Sequence, residues 1–205
     1  MYNFTFNIPT KIHFGKDTIS SLSELKAYGS KVLLVYGGGS IKKNGLYDTA
    51  MKILKDAGLT VFELSGVEPN PKIETVRKGV EICKNEGIDM VLAIGGGSTI
   101  DCSKVVAAGA KYDGDAWDLV LDGSKVKAAL PIFDVLTLSA TGTEMDPFAV
   151  ISDMSKNEKW GTGSPYMVPT MSILNPEYTF SVSKKQTAAG TADMMSHTME
   201  NYFSM

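Results

Sequence analysis

One stretch limits the folds open to this chain more than any other: Gly95-Gly96-Gly97-Ser98-Thr99-Ile100-Asp101. It follows the apolar run Met90-Val91-Leu92-Ala93-Ile94 and leads into a small-residue helical pattern over residues 102–109. A short, continuous apolar run marks a strand covered on both faces, as in a parallel sheet between helices. The glycines after it let the backbone approach a ligand closely and adopt positive φ. Free N–H groups of the next helical turn, with its dipole, favour an anion at that corner. A single run of this kind is equally an ordinary tight βα turn. A second run, Gly37-Gly38-Gly39-Ser40, also follows a strand-like segment (residues 32–36) and also leads into a helix. Two such corners in one α/β pattern point to a nucleotide. Neither has the G-x-G-x-x-G spacing, which would need glycine at Lys42 or Ile100, so the expected sheet is a variant Rossmann-like one.

The flanking segments support that sheet. Residues 4–14 alternate and carry Pro9, which reads as an extended edge segment or hairpin. Asp17 is placed to cap a short helix with Ile19, Leu22 and Leu25 facing inward. Leu46, Ala50, Ile53, Leu54 and Ala57 make one helical stripe, stopped by Gly58. Residues 60–64 read as a strand, Glu68-Pro69-Asn70-Pro71 as a stiff loop. Ile73, Val76, Val80 and Cys83 line a helix ending at Gly87. Repeated strand–helix alternation predicts a doubly wound parallel sheet, its ligand site beyond the carboxyl ends of the strands.

After Tyr112 the pattern loosens around Trp117 and residues 119–121. Residues 132–138 form another strand, running into Thr137-Leu138-Ser139-Ala140-Thr141-Gly142-Thr143-Glu144. Residues 149–152 and 160–162 suggest a hairpin, and 171–174 a last strand closed by Asn175-Pro176. Residues 184–202 read as helix, broken or capped around Gly190-Thr191. On it Asp193 and His197, four apart, share a face. Such a pair chelates a metal or makes a surface hydrogen bond.

Composition excludes several classes. A chain of 205 residues with net charge −3 has scattered Lys and Arg and no basic patch for nucleic acid. The N-terminal residues lack the charged and apolar regions of a signal peptide. No apolar run approaches the roughly 18 residues that would span a bilayer. The two cysteines, Cys83 and Cys102, fall on apolar helix faces and read as core thiols of a cytoplasmic protein.

Taken together, Thr10-Lys11-Ile12-His13-Phe14-Gly15, Tyr36-Gly37-Gly38-Gly39-Ser40-Ile41-Lys42-Lys43 and Val67-Glu68-Pro69-Asn70-Pro71 resemble a known family. So do residues 93–101, residues 136–144, Asn175-Pro176 and Gly190-Thr191-Ala192-Asp193-Met194-Met195-Ser196-His197. The family is that of the iron-containing alcohol dehydrogenases, in particular its butanol dehydrogenase-like, NADPH-dependent aldehyde reductase branch. The resemblance implies a dinucleotide-binding α/β domain over residues 1–178, of dehydroquinate synthase-like type. Residues 179–205 would begin an all-helical metal domain that is otherwise absent. It also implies that Gly37, Gly38, Gly39 and Ser40 meet the adenosine end of the cofactor. Gly95, Gly96, Gly97, Ser98 and Asp101 would hold its pyrophosphate and ribose. Thr137, Ser139, Thr141 and Gly142 would border the rest, with Asn70 and Lys159 as further contacts. Asp193 and His197 match the first two of four ligands to Fe²⁺, or Zn²⁺ in some members. The other two, both histidines, have no counterpart, since the only other histidine is His13.

The function so implied is hydride transfer between NADP(H) and a short-chain alcohol or aldehyde. NADP(H) is favoured over NAD(H) because Gly39, not an acid, ends the first glycine loop, followed by Ser40, Lys42 and Lys43. Glu63, ending the next strand, argues for NAD(H). A homodimer pairing through the N-terminal extended segment is also expected. The rival readings are a non-catalytic nucleotide-binding module and a glycerol dehydrogenase- or dehydroquinate synthase-like enzyme on the same fold.

Overall fold

The apolar runs become the interior strands of one sheet. In the computed structural model of the chain, which describes Asn3, Thr5 and residues 7–204, the strands are β1 (Lys11–Phe14), β2 (Lys31–Tyr36), β3 (Thr60–Leu64), β4 (Met90–Gly95) and β5 (Ile132–Leu136). A hairpin, β6 (Phe148–Asp153) and β7 (Glu158–Gly163), stands apart, and β8 (Met171–Leu174) returns to the main sheet. The sheet has the order β1-β8-β5-β4-β2-β3, and every pair in it is parallel. The helices are α1 (Ser40–Lys43), α2 (Leu46–Asp56), α3 (Ile73–Glu86), α4 (Gly97–Gly109), α5 (Ala116–Leu121) and α6 (Lys184–Phe203).

Alternation along the strands splits the core. Leu34, Leu92 and Val135 pack with Leu22, Leu25, Ala50 and Leu54 on one face. Leu33, Val35 and Val91 pack with Val76, Val105, Val106 and Trp117 on the other. The chain steps outward from β2 to β3, then back across to β4 on the other side of β2. That reversal opens a crevice between the carboxyl ends of β2 and β4, where a doubly wound sheet binds its ligand. Both glycine runs end there.

The helices over the second face meet closely. A Cβ at Gly79 of α3 would lie 2.6 Å from Val106 Cγ2 of α4 and 2.9 Å from Leu64 Cδ2. Gly79→Ala is therefore expected to overpack this seam at about 1–3 kcal/mol. The helix propensity gained by alanine, roughly 1 kcal/mol, offsets part of that. The net loss is about 1 kcal/mol, seen as a fall of roughly 2–4 °C in melting temperature; an unchanged midpoint would show that the seam relaxes freely.

Several expectations are corrected. Residues 18–27 form a 3₁₀ helix, and Asp17 caps nothing with its side chain because its backbone is left-handed, φ 61°. The loosened segment holds α5, started by Asp115, whose carboxylate accepts from Trp117 N. The strand after residue 132 stops at Leu136, the last ladder bond being Thr137 N to Gly95 O. α6 runs unbroken through Gly190 and Thr191, the Thr191 hydroxyl donating to Thr187 O at 2.9 Å. For the N-terminal segment the edge alternative holds: among the described residues its strand is Lys11–Phe14, at the sheet edge and parallel to β8, with no hairpin. Phe4 and Phe6, also assigned to it, lie outside the described residues.

Candidate dinucleotide and metal site

The first corner is open by construction. No atom lies within 4 Å of a Cβ built on Gly38 or Gly39, and Gly39 has φ 95°. Gly37 is closed beneath: its carbonyl accepts from Gly66 N, and a Cβ would sit 3.3 Å from Val67 O. Ser40 then starts α1, with Lys42 and Lys43 in its last turn. The nearby acid, Glu63, is already engaged. Tyr36 Oη and Tyr47 Oη donate to its two carboxylate oxygens at 2.6 and 2.8 Å. Lys42 Nζ stands 4.0 Å from it, over both tyrosine rings. Burial alone would raise the Glu63 pKa, but the tyrosine hydroxyls and Lys42 bring it below its ordinary value.

The second corner is tighter. A Cβ at Gly95 would fall 2.5 Å from Thr99 Oγ1, and one at Gly96 would meet Leu138 Cβ at 3.3 Å. Gly96 is the N-cap of α4 and offers no side-chain oxygen to the helix's first N–H groups. Thr99 N and Ile100 N turn back to donate to Gly96 O at 2.9 and 3.3 Å, which leaves the Gly97 and Ser98 N–H groups for an anion, and this cradle without room for side chains fits a pyrophosphate. Three residues from separate elements converge on it. Asn70 N donates to Ser98 Oγ at 3.3 Å, and Lys159 Nζ of β7 donates to Asn70 Oδ1 at 2.7 Å. Asn70 is held at φ 54°, a left-handed conformation that asparagine tolerates better than most residues.

The loop following β5 closes the far side. A Cβ on Gly97 would be 3.7 Å from Thr141 Oγ1, and Gly142 turns the loop at φ 81°. Asp101 faces inward from α4. Its carboxylate accepts from Thr143 Oγ1 at 2.7 Å and from Val150 N at 2.9 Å, while burial raises its pKa against those bonds. Two groups that sequence reasoning missed fix this loop. Lys104, wholly buried in α4, donates to Thr143 Oγ1 at 2.9 Å and to Asp146 O, Asp146 Oδ1 and Phe148 O, each at 2.8 Å. Asp134 of β5 meets Ser172 Oγ at 2.6 Å. A lysine interrupting the apolar stripe of residues 102–109 was the available signal. Phe148 and Val150 were also missed; they stand exposed on β6, alternating with buried Ala149 and Ile151.

Asp193 and His197, the expected metal pair, lie on α6. Asp193 lines a cleft of about 250 Å³ with Leu138, Ser139, Ala140 and Thr179. His197 Nε2 lies 3.7 Å from Asp193 Oδ2, both side chains 68% exposed. An imidazole nitrogen and a carboxylate suit Fe²⁺ or Zn²⁺ but fill only half of a tetrahedral shell. Among the described residues no group of three or more His, Cys, Asp or Glu completes one. Cys83 and Cys102 are buried, which pushes the Cys83 thiol up to about 12 and that of Cys102 higher, so neither is a reactive thiolate.

A parallel α/β sheet with a glycine-lined corner at its switch point defines a protein of doubly wound, Rossmann-like type. The family model described as iron-containing alcohol dehydrogenase matches residues 9–176, and the chain belongs to that family. It is 62% identical over 205 residues to NADH-dependent butanol dehydrogenase A of Clostridium acetobutylicum, covering 100% of this chain and 53% of the relative. It is 40% identical to the NADPH-dependent aldehyde reductase YqhD of Escherichia coli, covering 98% and 52%. The crystal structure of NADH-dependent butanol dehydrogenase A from Thermotoga maritima superposes with TM-score 0.94 at 49% identity, covering 99% of this chain and 52% of that one. The chain thus spans about half the length of the relatives it matches. No helix among the described residues is long and apolar enough to cross a membrane.

Proposed function

We propose that the chain forms the cofactor-binding half of a metal-dependent alcohol dehydrogenase or aldehyde reductase acting on short-chain, butanol- or butanal-like substrates. One observation supports this reading: the loop after β5 meets the start of α4 through Leu138 and Thr141 and also lines the Asp193 cleft through Leu138, Ser139 and Ala140. Residues 1–178 supply the dinucleotide domain and residues 179–205 the start of the metal-binding part. When bound, the divalent ion supplies Lewis-acid chemistry at a carbonyl oxygen, and the nicotinamide supplies or accepts hydride. The residues of this chain orient those groups. The N–H groups at the start of α4, with Ser98, Asn70 and Lys159, hold the pyrophosphate; Gly38, Gly39 and Ser40 receive the adenosine end. The loop carrying Thr137, Ser139, Thr141 and Gly142 borders the nicotinamide side, so the seat fixes its distance from Asp193 and His197. Asp101 contributes by holding Thr143 and Val150 in place.

NADP(H) is the preferred cofactor in this reading. The open end at Gly39, the Ser40 hydroxyl and Lys43 suit a 2′-phosphate, while Glu63, clamped by Tyr36, Tyr47 and Lys42, has its charge locally compensated. The name of the relative at 62% identity favours NADH, and that at 40% NADPH. A second copy of the chain would pair along the outer edge of β1, which has β8 on one side only. Sedimentation showing only monomer at micromolar concentration would count against that dimer.

The test is a fluorescence titration of the 205-residue chain with NADPH and NADH, followed by assay of butanal reduction with added Fe²⁺. Saturable NADPH binding with no appreciable turnover is expected, because only two metal ligands are present. Failure to bind either dinucleotide would refute the proposal. Robust turnover would show that other groups complete the metal shell.

A further inference from the structure

A proton is unaccounted for beneath the loop that closes the site. Ser172 of β8, fully buried, has its Oγ 2.6 Å from Asp134 Oδ2 and 2.7 Å from the Glu144 carbonyl oxygen. A serine hydroxyl has one proton to give and lone pairs to receive. The carbonyl has no proton of its own, so at this distance the Ser172 hydroxyl must donate to it. The contact to Asp134 then needs a second proton, and only the carboxyl group can provide it. The other oxygen, Asp134 Oδ1, is buried without a partner among the described residues. An ionised carboxylate there would be stripped of water and left with an empty oxygen, a costly state.

Among the described residues, the one neighbouring cation is already committed elsewhere. Asp134 lies in register with Ala93 of β4 and Ser172 of β8. The ionisable groups facing it are Glu144, which opposes a second negative charge, and Lys104, whose ammonium is paired to Asp146 at 2.8 Å. Burial, with Glu144, moves the Asp134 pKa well above the ordinary carboxylate range against the pull of Ser172 and of the Lys104 charge.

We propose that Asp134 is a neutral carboxylic acid that donates to Ser172, which in turn donates to the Glu144 carbonyl, making Asp134 a positioning residue for the loop over the nicotinamide side. The relay ties the distal end of residues 137–144 to β8, while Lys104 and Asp101 tie Thr143 to α4. That the loop borders the cofactor rests on the function proposed above; the proton assignment does not.

The experiment therefore has two parts on the same chain. For the proton, infrared difference spectra of wild type against Asp134→Asn near neutral pH should show a carboxylic-acid carbonyl band in the wild type alone. Thermal unfolding provides an independent reading. A raised folded pKa stabilises fully below the unfolded value near 4 and is lost as pH rises toward the folded value. The melting temperature of Asp134→Asn relative to wild type should then climb steadily from about pH 4.5 to about pH 7.5. No band, or a flat or falling difference, overturns the assignment. For positioning, Ser172→Ala should weaken NADPH binding about tenfold or more, and Asp134→Asn, whose amide can still donate, should remain within about twofold of wild type. Equal losses in both variants, or none in Ser172→Ala, overturn the positioning role. If wild type binds no dinucleotide, the positioning role falls with the proposed function, and the infrared band still decides the proton.

Discussion

Lys104→Met should lower the unfolding free energy by about 3 kcal/mol, the lower end of the range for breaking a buried ion pair. Methionine nearly preserves the volume, so the loss comes from stranded polar groups and not from a cavity. The ammonium, with three protons, serves four acceptors on the loop and β6: Thr143 Oγ1, Asp146 O and Oδ1, and Phe148 O. Burial lowers the Lys104 pKa, and the Asp146 carboxylate opposes that shift, so the charge persists because of its partner. Removing the ammonium leaves two carbonyls and a carboxylate facing a methyl group. Asp146 is 30% exposed and recovers some water, which is why the lower end applies. The measurement is urea unfolding, with a melting temperature lowered on the order of 10 °C. A further Asp146→Leu change should restore part of the loss. A loss below about 1 kcal/mol for the single variant would mean that the loop is not held by this lysine.

Gly39→Asp should weaken NADPH binding by roughly 1–3 kcal/mol, the scale of a charged hydrogen bond lost, and spare NADH. The added side chain meets no atom within 4 Å of its Cβ, so it projects into the open end of the first corner. There a carboxylate repels a 2′-phosphate and can accept from a 2′-hydroxyl. The backbone at φ 95° disfavours any side chain, which costs about 1–2 kcal/mol of stability. That cost applies whichever dinucleotide is bound, so the ratio of the two affinities is the proper readout. Equal or tighter NADH binding by the wild type would sink the NADP(H) assignment.

The sheet was legible because its signals are local. Runs such as Val32-Leu33-Leu34-Val35-Tyr36 declare strands covered on both faces, and the stripe through Leu46, Ala50 and Leu54 declares its helix. The meeting of Asn70, Ser98 and Lys159 was legible only through the family resemblance, since these residues come from a loop, a helix and a hairpin. What stayed hidden depends on long-range pairing. Lys104 finds its acceptors about forty residues along the chain, and Asp134 meets Ser172 across neighbouring strands. Neither aspartate nor lysine in an apolar run announces its partner. The helix α5 was missed because only its first turn is marked, by Asp115, and it is too short to establish a period.

α6 has a thermodynamic consequence of its own. None of its residues is buried, and Met194, Met195, Met199, Tyr202 and Phe203 all face solvent. Its backbone bonds are thus not insured by the sheet's core, and a helix supported mainly by local propensity is marginal. In the 205-residue chain by itself it is expected to open as a separate cooperative unit, its amide protons exchanging at a free energy well below that of global unfolding. The amides of β4, locked between β2 and β5, exchange only when the whole sheet comes apart. Asp193 and His197, the proposed metal ligands, therefore ride on a helix with no buried residue, and the second glycine corner follows a strand buried throughout.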